Sequence, residues 1–182
     1  MGKNFAIGLW LLAGALLTSC DRGAPSNAND ADTGFSTDAE VFEYISETDP
    51  SGFYTLFPHA DSVVAGSLNG STAHRPFVRV SLNAAAVASL TDGRFPAGGS
   101  FRDSSVVFKE VKDSSGKTTL IAVAVKQANN SQAANGWLWA EYKTDGSVVY
   151  TIQNKGTGCI GCHSLEQGPQ HDYIRTFERQ TP

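Results

Sequence analysis

Four short runs in the second half of the chain leave little choice of architecture: "SSVVFKEV" (104–111), "TTLIAVAV" (118–125), "WLWAEY" (137–142) and "SVVYTIQ" (147–153). Each is rich in β-branched or aromatic residues, and the side chains alternate with the period of a strand. The gaps "KDSSGK" and "KTDG" carry hairpin-turn chemistry, whereas "KQANNSQAANG" is a longer polar loop. Upstream, "RPFVRVSL" (75–82) sets Phe77 and Arg79 against Val78 and Val80 and reads as one more strand. Strands joined by short turns pair antiparallel. Two helices flank them. "DAEVFEYIS" (38–46) places Val41, Tyr44 and Ile45 at helical spacing behind a Ser36 or Thr37 cap, and "NAAAVASL" (83–90) is short, Asn-capped and Ala-rich. The expected fold class is α+β and strand-dominant, with an antiparallel sheet of about five strands.

The chain begins differently. Lys3 precedes "FAIGLWLLAGALL" (5–17), an uncharged run too short to span a bilayer and suited to the apolar core of a secretory signal. It ends in "LTSC" (17–20), which resembles the lipobox of bacterial lipoproteins, cut before the Cys that is then lipidated. Residues 1–19 are therefore expected to be a lipoprotein signal peptide. Residues 20–34, with Cys20 as the lipidated residue, would form a small, polar, flexible tether. Residues 35–182 are left as one domain with room for one core. The expected location is periplasmic, lipid-anchored to the inner membrane of a Gram-negative bacterium. Asp21, directly after the Cys, resembles the residue that retains lipoproteins there. A net charge of −4 with no basic cluster argues against a nucleic-acid partner.

"GTGCIGCHSL" (156–165) carries the chemistry. Cys159, Cys162 and His163 form C-x-x-C-H, the attachment signature of c-type haem, in which two thiols add to the haem vinyl groups and the adjacent His reaches the iron. One covalent haem c per chain is the expected cofactor, with His163 as the metal ligand. An exported compartment also permits a Cys159–Cys162 disulfide. Structural zinc is the third use of such residues, but no second cysteine pair exists to complete it. The single methionine is Met1, inside the signal, so the mature chain has no methionine for His/Met ligation. The far side of the iron is then open or taken by another donor, with His59 and His74 as upstream candidates.

Two features of the strands bear on that far side. Lys109 shares a strand face with Val107 and Val111, so it must snorkel, pair or be used, unless this is a partly solvated edge strand. In "TTLIAVAV", Ala122 and Ala124 form a face of small side chains, opposite Ile121, Val123 and Val125. Such a face leaves room for a flat, bulky object such as a porphyrin, and ordinary helix-on-sheet packing suits it equally.

The succession "FEYIS…YTLFP…HRPFVRVSLNAAA…FPAGGSF…VVFKEV…IAVAVK…GWLWAEYKTDG…CIGCH…HDYIRTF" resembles the cytochrome P-460 family, which includes the cytochromes c′-beta, over Ala39 to Phe177. The resemblance implies an antiparallel sheet with flanking helices and one c-type haem near the C-terminus, in a homodimer. It also implies an iron held by the motif His with an open or exchangeable distal site. Catalytic members bond a lysine nitrogen to a porphyrin meso carbon and oxidise hydroxylamine or process nitric oxide. Lys109 falls where that lysine occurs. Arg79 lies near a distal-pocket arginine of some members, and a solvated strand arginine is the alternative. Active hydroxylamine oxidases carry a distal carboxylate on the strand after the lysine strand, and the matching position here is Ala122, which can take no proton.

Three functions follow as expectations. The first is an oxidoreductase acting on hydroxylamine or nitric oxide and passing electrons to another cytochrome c. The second is a non-enzymatic nitric oxide-binding protein of the c′-beta type. The third is a bis-His electron carrier.

Overall fold

The computed structural model describes residues 34–46, 55–57, 63–66, 73–165 and 168–179. The expected signal peptide, Cys20, most of the tether and His59 lie outside the described residues. Seven strands are described: β1 (Thr55–Phe57), β2 (Val64–Ala65), β3 (Phe77–Leu82), β4 (Val106–Lys112), β5 (Thr118–Lys126), β6 (Trp137–Tyr142) and β7 (Val148–Tyr150). They form one antiparallel sheet in the order β1-β3-β4-β5-β6-β7, with β2 also paired to β3. The five strands expected from the alternating runs are β3 to β7. The additional β1 and β2 are three and two residues long, too short to display a period, and they occupy the edge of β3 that would otherwise present unpaired backbone.

Among the described residues three α-helices accompany the sheet. Helix α1 (Asp38–Ser46) opens on a capping box. The Glu40 N–H donates to Thr37 Oγ1 (3.2 Å), and the Glu40 carboxylate accepts from the N–H groups of Ser36 (2.7 Å) and Thr37 (3.0 Å). Its inward residues Val41 and Ile45 are fully buried, worth roughly 1.5–3 kcal/mol each. Helix α2 (Ala84–Val87) is shorter than the expected 83–90, because the N–H groups of Ser89 and Leu90 bond three residues back and tighten the chain. Its cap is as expected. Asn83 Oδ1 accepts from Ala86 N–H (3.0 Å) and also from Val106 N–H (2.8 Å), tying the helix to the start of β4. Helix α3 (Cys159–His163) carries the C-x-x-C-H trio.

The sheet separates two cores. Val106, Phe108, Val123, Val125, Leu138 and Tyr142 point to one side, where α1 lies over them. Val78, Val80, Val107, Ala124 and Trp139 point to the other, with Phe101 and Phe177 beyond. Among the described residues no helix is long and apolar enough to cross a membrane.

Candidate functional site

One row of register partners crosses the sheet: Val80 opposite Lys109, Lys109 opposite Ala122, Ala122 opposite Glu141, and Glu141 opposite Tyr150. Directly opposed residues of an antiparallel pair share a face, so all five side chains project to the same side. That row floors a cavity of about 330 Å³, and Val107, Ala124 and Trp139 from the next row extend it. The small side chains of Ala122 and Ala124 open the space, as their alternation predicts.

The wall opposite comes from the C-terminal segment. Helix α3 brings Cys159, Cys162 and His163 to the same cavity. The approach depends on Gly156 (φ +69°), where a Cβ would fall 2.8 Å from Trp139 Cδ1 and 2.9 Å from Ala134 Cβ. Both cysteines are free thiols, so the disulfide alternative is not formed. Burial pushes the Cys159 thiol above its ordinary value, which favours the protonated form over a metal-binding thiolate.

His163 is held by one ring nitrogen. Its Nδ1–H donates to the Tyr173 carbonyl at 2.5 Å, leaving Nε2 for the cavity, and Trp139 packs against the ring at 4.5 Å between centroids. Burial, with the Lys109 charge as second cause, pushes the imidazole down to about 3. A neutral imidazole with one nitrogen tied to a backbone carbonyl is the arrangement of a metal-ligating histidine. Two free thiols, a neutral imidazole and a bed of small apolar side chains match what a c-type haem needs. Among the described residues no group of three or more His, Cys, Asp or Glu converges as a metal-ion site. The donor set fits haem.

Lys109 lies where the sequence puts it, on the face of Val107 and Val111 and lining the cavity. Its Nζ is 3.5 Å from His74 Nδ1, at the outer limit of a hydrogen bond, and His74 Nε2 is 2.9 Å from Glu141 Oε1. Burial first and Lys109 second lower the His74 pKa, against the opposing bond to Glu141. The imidazole is thereby kept neutral, with its proton on Nε2 facing the carboxylate.

Two expectations change here. Arg79 is not brought to the cavity. Its register partner is Glu110 on the opposite face of the sheet, where its Nε donates to the Glu110 carboxylate. An odd-numbered residue of β3 shares Phe77's side, and the cavity is on the side of Val78 and Val80. Ala122 does line the cavity and offers no proton acceptor, but the neighbouring strand supplies one in Glu141. Glu141 does not stand at the position that matches the family's carboxylate, and it reaches the cavity from the next strand, a relation that parity along one strand does not show. The alternation of "WLWAEY", which sets Glu141 on the face of Trp137 and Trp139, was the available signal. Arg175 was also missed. Its guanidinium lies 3.3 Å from Cys162 Sγ at the cavity wall.

A family model described as Cytochrome P460 matches residues 59–176 of the chain. No curated protein matches it.

Proposed function

The chain belongs to the cytochrome P460 family and is a haem cytochrome of that type, and from this we propose that it binds and oxidises small nitrogen species such as hydroxylamine or nitric oxide. Cys159 and Cys162 would hold one haem through thioether bonds, and His163 Nε2 would bind its iron. Lys109 Nζ is proposed to bond to the porphyrin edge, losing an N–H and a ring C–H hydrogen in a two-electron oxidation whose electrons would go to an added peroxide, reduced to water. When bound, the haem supplies a redox-active iron that takes up electrons from the substrate. The chain's own residues do the remaining work. Val80, Val107 and Ala122 keep the substrate space apolar and small. Glu141 accepts the proton that the substrate loses on oxidation, and the neutral His74 orients its carboxylate through the Nε2–H bond.

The observation that carries this reading is the Lys109–Ala122–Glu141 row, with His74 bonded at its carboxylate end. The test is hydroxylamine oxidation by the haem-loaded protein with an electron acceptor. Turnover lost in Glu141→Gln is expected, and wild type that binds haem yet shows no turnover would overturn it. The apolar walls around Ala122 and Val107 favour a second reading, capture of nitric oxide without turnover. The same proposal puts the protein in the periplasm, tethered by acyl chains on Cys20 to the inner membrane. It also has the protein working as a homodimer that passes electrons to another cytochrome c.

A further inference from the structure

The carbonyl that receives the His163 proton sits on unusual backbone. Asp172 (φ +49°) and Tyr173 (φ +66°) are consecutive non-glycine residues in the left-handed region, which L side chains adopt at a cost and which surrounding contacts must enforce. The enforcement is visible. The Asp172 carboxylate accepts from Lys126 Nζ at 2.7 and 2.9 Å and from Phe101 N–H at 2.8 Å, with Ser100 Oγ at 3.3 Å. The Asp172 carbonyl accepts from Trp137 Nε1–H (2.8 Å), and the Tyr173 N–H donates to Gly168 O (2.7 Å). The dipeptide is thus pinned at its side chain, one carbonyl and one N–H. The next carbonyl, that of Tyr173, faces His163.

Lys126 is the last residue of β5, and its register partner is Trp137. Its ammonium lies 5.0 Å from the Trp137 ring centroid and is almost fully buried, as is Asp172. Space for it is kept by Gly136 (φ +79°), where a Cβ would stand 3.0 Å from Lys126 Nζ. A buried ion pair is a poor source of stability, because desolvation offsets most of its attraction and apolar residues of like volume serve as well. What it supplies is geometry, one position of a charged group fixed by several bonds. Here the fixed position sets the direction of the Tyr173 carbonyl.

We propose that Lys126 and Asp172 are positioning residues for His163, holding the Asp172–Tyr173 backbone so that the Tyr173 carbonyl takes the Nδ1–H and presents Nε2 to the haem iron. This rests on the haem reading above and names the part of the chain that regulates the axial ligand. A firm Nδ1–H bond raises the basicity of the ligating nitrogen and favours the oxidised iron. The pair therefore lowers the reduction potential from the far side of His163, without touching cofactor or substrate.

The test is the double variant Lys126→Met with Asp172→Asn, in haem-loaded protein. Removing both charges leaves no lone buried ion, and Asn tolerates the left-handed backbone, so the chain is expected to fold. The reduction equilibrium should move about tenfold toward the ferrous form, equivalent to about 59 mV for one electron. The iron–histidine stretch in the resonance Raman spectrum should fall with it. A folded, haem-loaded double variant with wild-type potential and wild-type stretch overturns the proposal. Val41→Ala, in the core across the sheet, lowers stability alone; if it shifts the potential equally, the effect is structural and the proposal also fails. Wild-type protein that takes up no haem would defeat the functional reading instead. The ¹⁵N spectrum of His163 in that haem-free protein would still decide the matter, since loss of the Nδ1–H signature in the double variant is expected and its retention overturns the proposal.

Discussion

Glu141 and His74 meet in a side-chain hydrogen bond at the cavity floor, Oε1 to Nε2 at 2.9 Å. The pair links the last wide strand of the sheet to the loop before β3, so a carboxylate and an imidazole meet beside Lys109. Its place opposite Ala122 sets an alanine that makes room on one strand beside a carboxylate on the next.

Removing that acceptor should stop turnover while sparing haem uptake. Glu141→Gln is expected to lower hydroxylamine oxidation by about 100-fold or more, the usual worth of a positioned general base. Adding Ala122→Glu to that variant should restore part of the activity, because the new carboxylate arises from the adjacent strand on the same face. Steady-state rates at equal haem content measure both. A Glu141→Gln variant that stays fully active would assign the proton to another group.

Lys109 is testable by colour. If its nitrogen bonds to the porphyrin, the reduced protein has a Soret band far to the red of ordinary haem c, and Lys109→Ala returns it to the ordinary position. An unshifted wild-type spectrum removes the crosslink, and a shifted spectrum that survives Lys109→Ala removes the residue assignment.

Gly156→Ala tests the turn that delivers the haem motif. The added Cβ would stand less than 3 Å from Trp139 and Ala134 and require a strained positive φ. A loss of about 1–3 kcal/mol is expected, with reduced haem incorporation. Thermal melts and haem-to-protein absorbance ratios read the two effects.

The network on the opposite face predicts an acid limit to stability. Burial alone would raise the Glu110 pKa, but hydrogen bonds from Arg79, Thr118 and Lys112 hold it below the ordinary 4.5. The unfolded chain therefore binds this proton first. The stabilisation is complete above pH 4.5 and is lost as pH falls through the folded-state value. Denaturant titrations below that pH should show a shallower decline for Glu110→Gln than for wild type.

Strands β3 to β7 were legible because each is long enough to show its period and is bounded by turn residues. The C-x-x-C-H trio, which the structure brings to the cavity on one short helix, stands out in the sequence because its spacing is local to five residues. The Lys109 face and the small Ala122–Ala124 face could be read for the same reason, as parity along a single strand. Relations that depend on register could not. Arg79 and Glu110, Glu141 and His74, and Lys126 and Asp172 are separated by 31 to 67 residues, and the partner of each is set by how strands align and where loops return. The two short edge strands were missed because their order comes from pairing with β3, not from their own composition.

The row from Val80 to Tyr150 has a consequence for how such a protein can diversify. The C-x-x-C-H trio is confined to a C-terminal stretch, whereas the floor is a line of side chains borrowed one each from five strands. Every floor residue has immediate chain neighbours on the opposite side of the sheet, so exchanging a floor side chain leaves that other side undisturbed. Reactivity can be rewritten one strand at a time, alanine for glutamate or the reverse, while the prosthetic group stays in its socket.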